Sequence, residues 1–295
     1  MQIVFIGTVE FSYYTLKETI SNDGNVVGIF TKRSSEFNTD FKDLTPIAKK
    51  NNIPIHYINS ANSKYTYREI KKLEPDIIFC FGWSEILEMN LLELPPKGVI
   101  GVHPAKLPYN RGRHPLIWAL FLGLDKSAVT FFKMDKEADT GDIISQKEFN
   151  ITYSDDARSL YNKIKRVSSS QIKEFLPKLK NDLIDYKNQD KNVGNTWRKR
   201  GKIDGKIDWR MSSRAIYNLV RALTKPYIGA HCLFNNNEIK VWKVREVKYN
   251  NKNIEPGKVI KVNNNSFVVK TYDGAIEITD HEFNALPKKG DYLKW

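Results

Sequence analysis

Apolar residues fall in strand-sized blocks along the first half of the chain, each followed by a stretch with helical spacing. Gln2–Ile6 is one block, followed by Gly7-Thr8 and a helical pattern to Ile20; Val26–Phe30 is the next, followed by helical Thr45–Asn51. The rhythm continues with a short Ile53–Ile58, helical Tyr65–Leu73, the run Asp76–Phe81, helical Leu91–Leu94, and then Val99–Val102. Helical Pro115–Leu122 and two further strands, Ala128–Met134 and Ile143–Phe149, precede a long helix predicted from about Asp155 to Leu179. Ser154-Asp155-Asp156 opens that helix with capping oxygens and the negative charge that a helix N-terminus favours. Strands alternating with helices predict an α/β fold with a doubly wound, Rossmann-like and mostly parallel sheet.

The pattern changes after residue 180. From Lys180 to Asp204 the composition is polar and irregular and reads as a linker. A helix, Ser213–Leu223, is stopped by Pro226. Short strands then alternate with turn signals: Ala230–Phe234, Glu238–Val247, Gly257–Val262, Ser266–Thr271 and Ala275–Thr279, with Asn-rich or Asp-Gly turns between several of them. This spacing predicts a small C-terminal β-barrel, OB-like in size. The expected division is 1–180 as the α/β domain, 181–229 as linker and connecting helix, and 230–295 as the small β-rich domain.

Composition narrows the class. A chain of 295 residues is too long for one ordinary core, and 41% hydrophobic with 12% aromatic content suits a packed globular protein. Cys80 and Cys232 form no Cys-x-x-Cys or Cys/His spacing, so neither a disulfide framework nor a metal site is expected. The start, MQIVFIGTVEF, has no basic region ahead of an apolar core, and no apolar run approaches membrane length. A cytoplasmic location without a membrane partner is the expectation. The net charge of +13 fits a nucleic-acid partner or a surface of solvated lysines; its densest group is Arg198-Lys-Arg200-Gly-Lys202.

Two segments carry chemistry. His103 directly follows an apolar strand, where open α/β sheets place ligands, and Pro104 ends the strand there. Taken alone, the histidine also fits a core or turn residue. The second segment, Asp135 to Asp142, follows the next strand with four carboxylates, Asp135, Glu137, Asp139 and Asp142. A carboxylate beside an imidazole fixes its tautomer and raises its basicity, which general-base work requires. Taken alone, such a loop also fits a solvated turn.

Together, His103-Pro-x-x-Leu-Pro108 and Asp139-Thr-Gly-Asp142 resemble the formyltetrahydrofolate-dependent formyltransferase family, which includes methionyl-tRNA formyltransferase, glycinamide ribonucleotide transformylase and the sugar N-formyltransferases. The resemblance extends over nearly the whole chain, through Ile3-Val-Phe-Ile-Gly-Thr8, Phe81-Gly-Trp-Ser-Glu-Ile-Leu87 and Ile207-Asp-Trp209. It implies N10-formyltetrahydrofolate as cosubstrate and no metal. It implies His103 as base, Asp139 as its orienting partner, and donor contacts from Trp83, Ser84, Ile86, Leu87, Asp135 and Glu137. One position departs from the family: the asparagine that normally stands two residues before the histidine, and helps to stabilise the oxyanion, is here Gly101. Losing such a donor costs about 3–4 kcal/mol of transition-state stabilisation. Asn110 is the first candidate to replace it, with protonated His103 and Lys106 as others.

The family's members differ in the amine they accept. In tRNA formyltransferases the loop after the second strand is a long, basic, Gly-rich insertion. Here Thr31–Asp43 has three basic and three acidic residues and no glycine. The stretch Tyr109-Asn-Arg-Gly-Arg-His-Pro115 resembles the sugar-modifying branch, which implies Thr8, Arg111, Arg113 and His114 as contacts to a nucleotide-linked amino sugar. Arginine meets phosphate oxygens bidentately, although the same residues also suit a capped turn entering the next helix. The expectation is formylation of a sugar amine for surface polysaccharide (lipopolysaccharide O-antigen) biosynthesis, by a homodimer with no nucleic-acid partner. Methionyl-tRNA formyltransferase is the alternative, and a catalytically weak folate or sugar-nucleotide binding protein the third reading.

Overall fold

The computed structural model describes residues 1–35 and 38–294; Glu36 and Phe37 of the expected Thr31–Asp43 span, and Trp295, lie outside the described residues. The chain divides into two compact units, and the division is not sequential. One comprises 1–115, 126–150 and 162–197; the other comprises 116–125, 151–161 and 198–295. The first unit therefore takes in part of the expected linker. The second takes in two segments from the expected α/β domain.

In chain order the first unit carries β1 (Gln2–Ile6), α1 (Glu10–Ser21), β2 (Asn25–Thr31), α2 (Thr45–Lys50), β3 (Ile55–Tyr57), α3 (Lys64–Lys72), β4 (Ile77–Cys80), α4 (Met89–Leu92) and β5 (Val99–His103). After them come β6 (Arg111–Gly112), β7 (Lys126–Lys133), β8 (Ile143–Asn150) and β9 (Thr196–Trp197). Seven strands form one sheet in the order β3-β2-β1-β4-β5-β7-β8. Neighbours from β3 through β5 are parallel, while β7 and β8 add on antiparallel. The period of two along each strand fixes what the faces carry. Val4, Ile6, Phe30, Ile78 and Cys80 join Ile70, Leu91 and Leu92 on one face. On the other face Phe79, Phe81, Phe131 and Phe175 form a chain of ring contacts at 4.9–6.3 Å.

The second unit holds α5, whose Pro115–Phe121 span begins one residue inside the first, together with α7 (Ser213–Leu223) and five strands. The long helix α6, Ala157–Lys180, begins in this unit and continues into the first. Asp156 and Ser159 cap it reciprocally: the Asp156 carboxylate accepts from Ser159 N–H at 2.8 Å, and the Ser159 hydroxyl accepts from Asp156 N–H at 3.0 Å. Strands β10 (Ala230–Phe234), β11 (Asn237–Val247), β12 (Val259–Val262), β13 (Phe267–Lys270) and β14 (Ala275–His281) form an antiparallel sheet in the order β10-β11-β14-β13-β12. Tyr292 and Lys294 of the final segment bridge to Lys258 and Leu233, running from the β12 edge to the β10 edge. The expected barrel is thus a five-stranded sheet joined by its own terminus. Helix α7 is capped by the Ser212 hydroxyl and turns Ile216, Leu219, Val220 and Leu223 inward. Among the described residues, no helix is long and apolar enough to cross a membrane.

Candidate active site

The parallel strands β1, β2, β4 and β5 end along one edge of the seven-stranded sheet, and the loops leaving that edge carry Thr8, Trp83–Leu87 and the segment after His103; the Asp135–Asp142 loop leaves β7 beside the start of β5, because β7 runs antiparallel, and reaches His103 from there. His103 is the last residue of β5 and is buried. Its Nε2 lies 2.7 Å from the backbone carbonyl of Asn110, and its Nδ1 lies 3.6 Å from Asp139 Oδ2, which is ion-pair range. Both neighbours are acceptors. A neutral imidazole has one N–H and serves only one of them, whereas the imidazolium serves both. With Nε2 covered by Asn110, an incoming amine reaches that nitrogen only if residues 109–111 shift.

Asp139 sits at φ 61°, in the left-handed region, at the tip of the turn between β7 and β8. Its Oδ2 also accepts from Gly112 N–H at 2.9 Å. Gly112 has φ 95°, and a Cβ there would come within 2.3 Å of the Trp197 carbonyl, so only glycine brings this N–H to the carboxylate. Asn110 has φ 64° and contacts His103 through its backbone. Lys106, the third candidate oxyanion donor, is ion-paired with Glu148 at 2.5 Å and is half exposed. Gly101 lies on the strand beside the histidine, and a Cβ there would meet Met134 Cγ at 2.8 Å and Sδ at 3.1 Å. Methionine thus fills the space that the family's asparagine would enter.

Arg111 is placed differently from the expectation of a phosphate ligand. It is buried, and its guanidinium donates to the Asp139 carbonyl at 3.2 Å, to Gln189 Oε1 at 3.0 Å and to the Val193 carbonyl at 3.5 Å. These bonds hold the guanidinium inside the protein rather than toward a ligand. Arg113 is exposed and donates to the Ser84 carbonyl at 3.1 Å, and His114 stands at φ 57° just before α5. Thr8 is buried beyond β1; its N–H donates to Ser12 Oγ at 3.0 Å, and its hydroxyl has no hydrogen-bond partner.

The loop after β4 is braced by Glu85. That carboxylate accepts from Ala61 N–H at 2.7 Å, from Trp83 Nε1 at 3.1 Å, from Asn62 Nδ2 at 3.3 Å and from the Ser60 hydroxyl. Asn62 also donates to the Ile86 carbonyl at 2.8 Å and accepts from Glu88 N–H at 2.9 Å. Ile86 is 60% exposed, while the Leu87 side chain is packed in the core. The Leu87 side chain therefore anchors the loop. Asp135 accepts from Thr140 Oγ1 at 2.6 Å and from Glu137 N–H at 3.0 Å, and Lys191 stands about 4 Å from both carboxylates. Burial pushes the Cys80 thiol up to about 12, which removes it as a nucleophile near neutral pH. Among the described residues no cluster of His, Cys, Asp and Glu could hold a metal ion.

Glu85, Gln189 and Asn195 escaped the reading of the sequence. Glu85 stands within Phe81–Leu87, but nothing in that motif marks a carboxylate as a brace. Gln189 and Asn195 lie in a polar stretch whose composition is that of any surface loop.

Comparison with known proteins completes the site. Residues 1–176 match the formyl transferase family, and residues 199–288 match the formyl transferase C-terminal domain. Methionyl-tRNA formyltransferase of Sulfurihydrogenibium sp. (strain YO3AOP1) is 33% identical over 294 residues, covering 97% of this chain and 94% of its own. The enzyme of the same name from Caldanaerobacter subterraneus subsp. tengcongensis is 31% identical, covering 99% and 96%. Among solved structures, WlaRD, a sugar 3N-formyl transferase in the presence of dTDP and 5-N-formyl-THF, aligns with TM-score 0.72 at 20% identity over 97% of this chain and 99% of its own. An N-formyltransferase from Helicobacter canadensis in complex with folinic acid and dTDP-3-aminofucose aligns at 0.71 and 19% identity, over 95% and 99%. Structural likeness at such identities shows the fold alone.

Proposed function

This chain belongs to the formyl transferase family, and from that premise we propose that it transfers a formyl group from N10-formyltetrahydrofolate to the amino group of a nucleotide-linked amino sugar. The observation that carries the choice of acceptor is the span after β2. Its three cations lie back over aromatic rings: Lys32 over Trp83 at 5.1 Å, Arg33 over Tyr57 at 4.4 Å and Lys42 over Tyr13 at 5.6 Å. A phosphate-backbone clamp needs cations arrayed outward without carboxylates between them, and this charge-balanced span offers neither. The dTDP present with one structural neighbour and the dTDP-3-aminofucose in complex with the other agree with a sugar nucleotide. A role in surface polysaccharide biosynthesis is the setting such a product suits.

The residues present fit the formyl donor. The loop Trp83–Glu88 is held by Glu85 and Asn62 and exposes Ile86, an apolar surface suited to the donor's flat heterocycle; the carboxylates of Asp135 and Glu137 are further candidate contacts. When bound, the donor supplies a one-carbon acyl group attached to nitrogen. His103 takes the proton that the amine loses on attack and returns it to the departing nitrogen, once the Asn110 carbonyl has released Nε2. Asp139 holds the ring and stabilises the imidazolium that forms. The Asn110 side-chain amide donates to the formyl oxygen as charge grows there, in place of the asparagine absent at Gly101. Arg113 and Thr8 meet the nucleotide.

A second reading, methionyl-tRNA formyltransferase, is favoured by two observations. Relatives 31–33% identical over the whole chain carry that name, and residues 198–295 hold 20 Lys and Arg against 10 Asp and Glu. The deciding experiment offers purified full-length protein the formyl donor, with dTDP-, UDP- and GDP-linked amino sugars in one series and methionyl-tRNA in another. Transfer to an amino sugar is expected. Efficient transfer to methionyl-tRNA, with none to any sugar, overturns the proposal in favour of the second reading.

A further inference from the structure

The stretch Lys187–Trp197 has the composition of a linker, and neither matched family domain covers it. In the structure it lies along the two loops that carry the reacting residues. Lys187 exchanges backbone hydrogen bonds with Ile143 at 2.8 and 2.9 Å, and Asn188 Nδ2 donates to Asp142 Oδ1 at 3.0 Å. The Asn195 side chain and carbonyl accept from Asn110 N–H at 2.9 Å and Arg111 N–H at 3.0 Å. β9 pairs with β6, and the Trp197 carbonyl accepts from Arg113 N–H at 3.1 Å.

Gln189 is the centre of this strap, at 3% exposure. Its Nε2 donates to the carbonyls of Asp139 at 3.1 Å and Gly141 at 2.7 Å, and its Oε1 accepts from Arg111 Nη2 at 3.0 Å. Arg111 Nε donates to that same Asp139 carbonyl at 3.2 Å. Both lone pairs of the Asp139 carbonyl are therefore occupied by side chains that are bonded to each other. The turn is also pinned from beneath, since a Cβ on Gly141 would come within 1.7 Å of the Lys133 carbonyl. A left-handed aspartate at the tip of a turn has other conformations close in energy, and in most of them its carboxylate leaves the histidine. Rotating the 139–140 peptide away from this one breaks two buried hydrogen bonds at once.

We propose that Gln189 is a positioning residue: with Arg111 it locks the Asp139 turn so that the carboxylate faces His103. The requirement is for an amide, because the site needs two N–H donations and one acceptance from a single neutral group. A carboxylate at this position could accept but not donate, and an apolar side chain could do neither. The proposal rests on the assignment of His103 and Asp139 as the reacting pair.

The test uses the full-length protein with whichever amine the wild type formylates. Gln189→Ala is expected to lower kcat about 10- to 100-fold through a misplaced carboxylate, with KM for donor and acceptor changed little. Combined with Asp139→Asn, it adds no further loss, because both changes act on one interaction. A merely structural glutamine would instead lower the folded fraction and add its loss to that of Asp139→Asn. Gln189→Met fills the same volume without donors; it replaces the alanine variant if that one does not fold, and carries the same expectation. Wild-type kcat in either variant, or additive losses in the double variant, overturns the proposal. Failure of the underlying assignment shows separately, as full turnover in Asp139→Asn. In that event the ring resonances of His103, followed by NMR, decide: they move in Gln189→Ala if the amide holds the turn, and stay unchanged if it does not.

Discussion

Replacing Asp139 by asparagine isolates charge from shape. The left-handed backbone at φ 61° suits asparagine at least as well as aspartate, and an amide oxygen can still accept from Gly112 N–H. The fold of the turn should survive, with the midpoint of thermal unfolding close to that of the wild type. The negative charge 3.6 Å from His103 Nδ1 is lost. At that distance an imidazolium and a carboxylate attract by about 4–5 kcal/mol at an effective dielectric near 20. The amide dipole retains some of this, leaving a loss of about 3–4 kcal/mol where the imidazolium forms, or roughly a 100- to 1000-fold fall in kcat. With its oxygen on Gly112 N–H, the amide still turns that same oxygen toward Nδ1, so the tautomer protonated there is kept and the loss is one of charge. The assay is steady-state turnover under saturating formyl donor, with acceptor binding measured separately by calorimetry. Binding within about threefold of wild type with kcat reduced as stated is the expected result. Full turnover in Asp139→Asn, or a loss confined to acceptor binding, would refute the role given to this carboxylate.

Three further outcomes are expected. Arg113→Ala should raise the dissociation constant of the sugar nucleotide more than it lowers turnover, and acceptor binding should weaken only modestly with added salt, as titrations at several ionic strengths can show. Gly101→Asn in a Met134→Ala background, where the crowding sulfur and Cγ are gone and only the Phe132 ring edge at 3.1 Å must give, should raise kcat in steady-state assays by restoring an oxyanion donor; no gain would mean that Asn110 already saturates that role. In the second unit, Glu238 is held down to about 2, first by a hydrogen bond from Lys202 and then by Lys240. Its stabilising contribution is complete above the ordinary glutamate value, declines as pH falls below it, and is gone under about 2; Glu238→Gln should flatten acid unfolding of this unit across that window, read by circular dichroism.

The strands and helices of the sheet were legible because each is a local pattern: β1 reads as a block of apolar residues, α1 as a helical repeat, and Asp156 as a cap. His103 and Asp139 were legible because two short motifs carry them. What escaped was long-range. Apart from Val193 and Trp197 the stretch Lys187–Trp197 is polar, and a buried glutamine satisfied by backbone carbonyls looks in sequence like any loop glutamine. The buried role of Arg111 was hidden for the same reason: its partners, Asp139, Gln189 and Val193, are each far away in the chain. This difference between a solvated linker and a strap has a direct physical consequence in the full-length protein. The N–H groups of Asn110, Arg111 and Arg113 all donate into the segment 195–197, and Lys187 N–H donates to Ile143. In a linker those amides would exchange with solvent at the rate of an unstructured peptide. In a strap they exchange only when the segment lifts, which breaks β6–β9 and the Gln189 contacts together. Hydrogen exchange read by NMR should therefore show Arg111, Arg113 and Lys187 protected as one group, and Gln189→Ala should speed all three alike. Amides that exchange at the free-peptide rate in the wild type would show that the segment is a linker after all, and that the Asp139 turn is held by β7 alone.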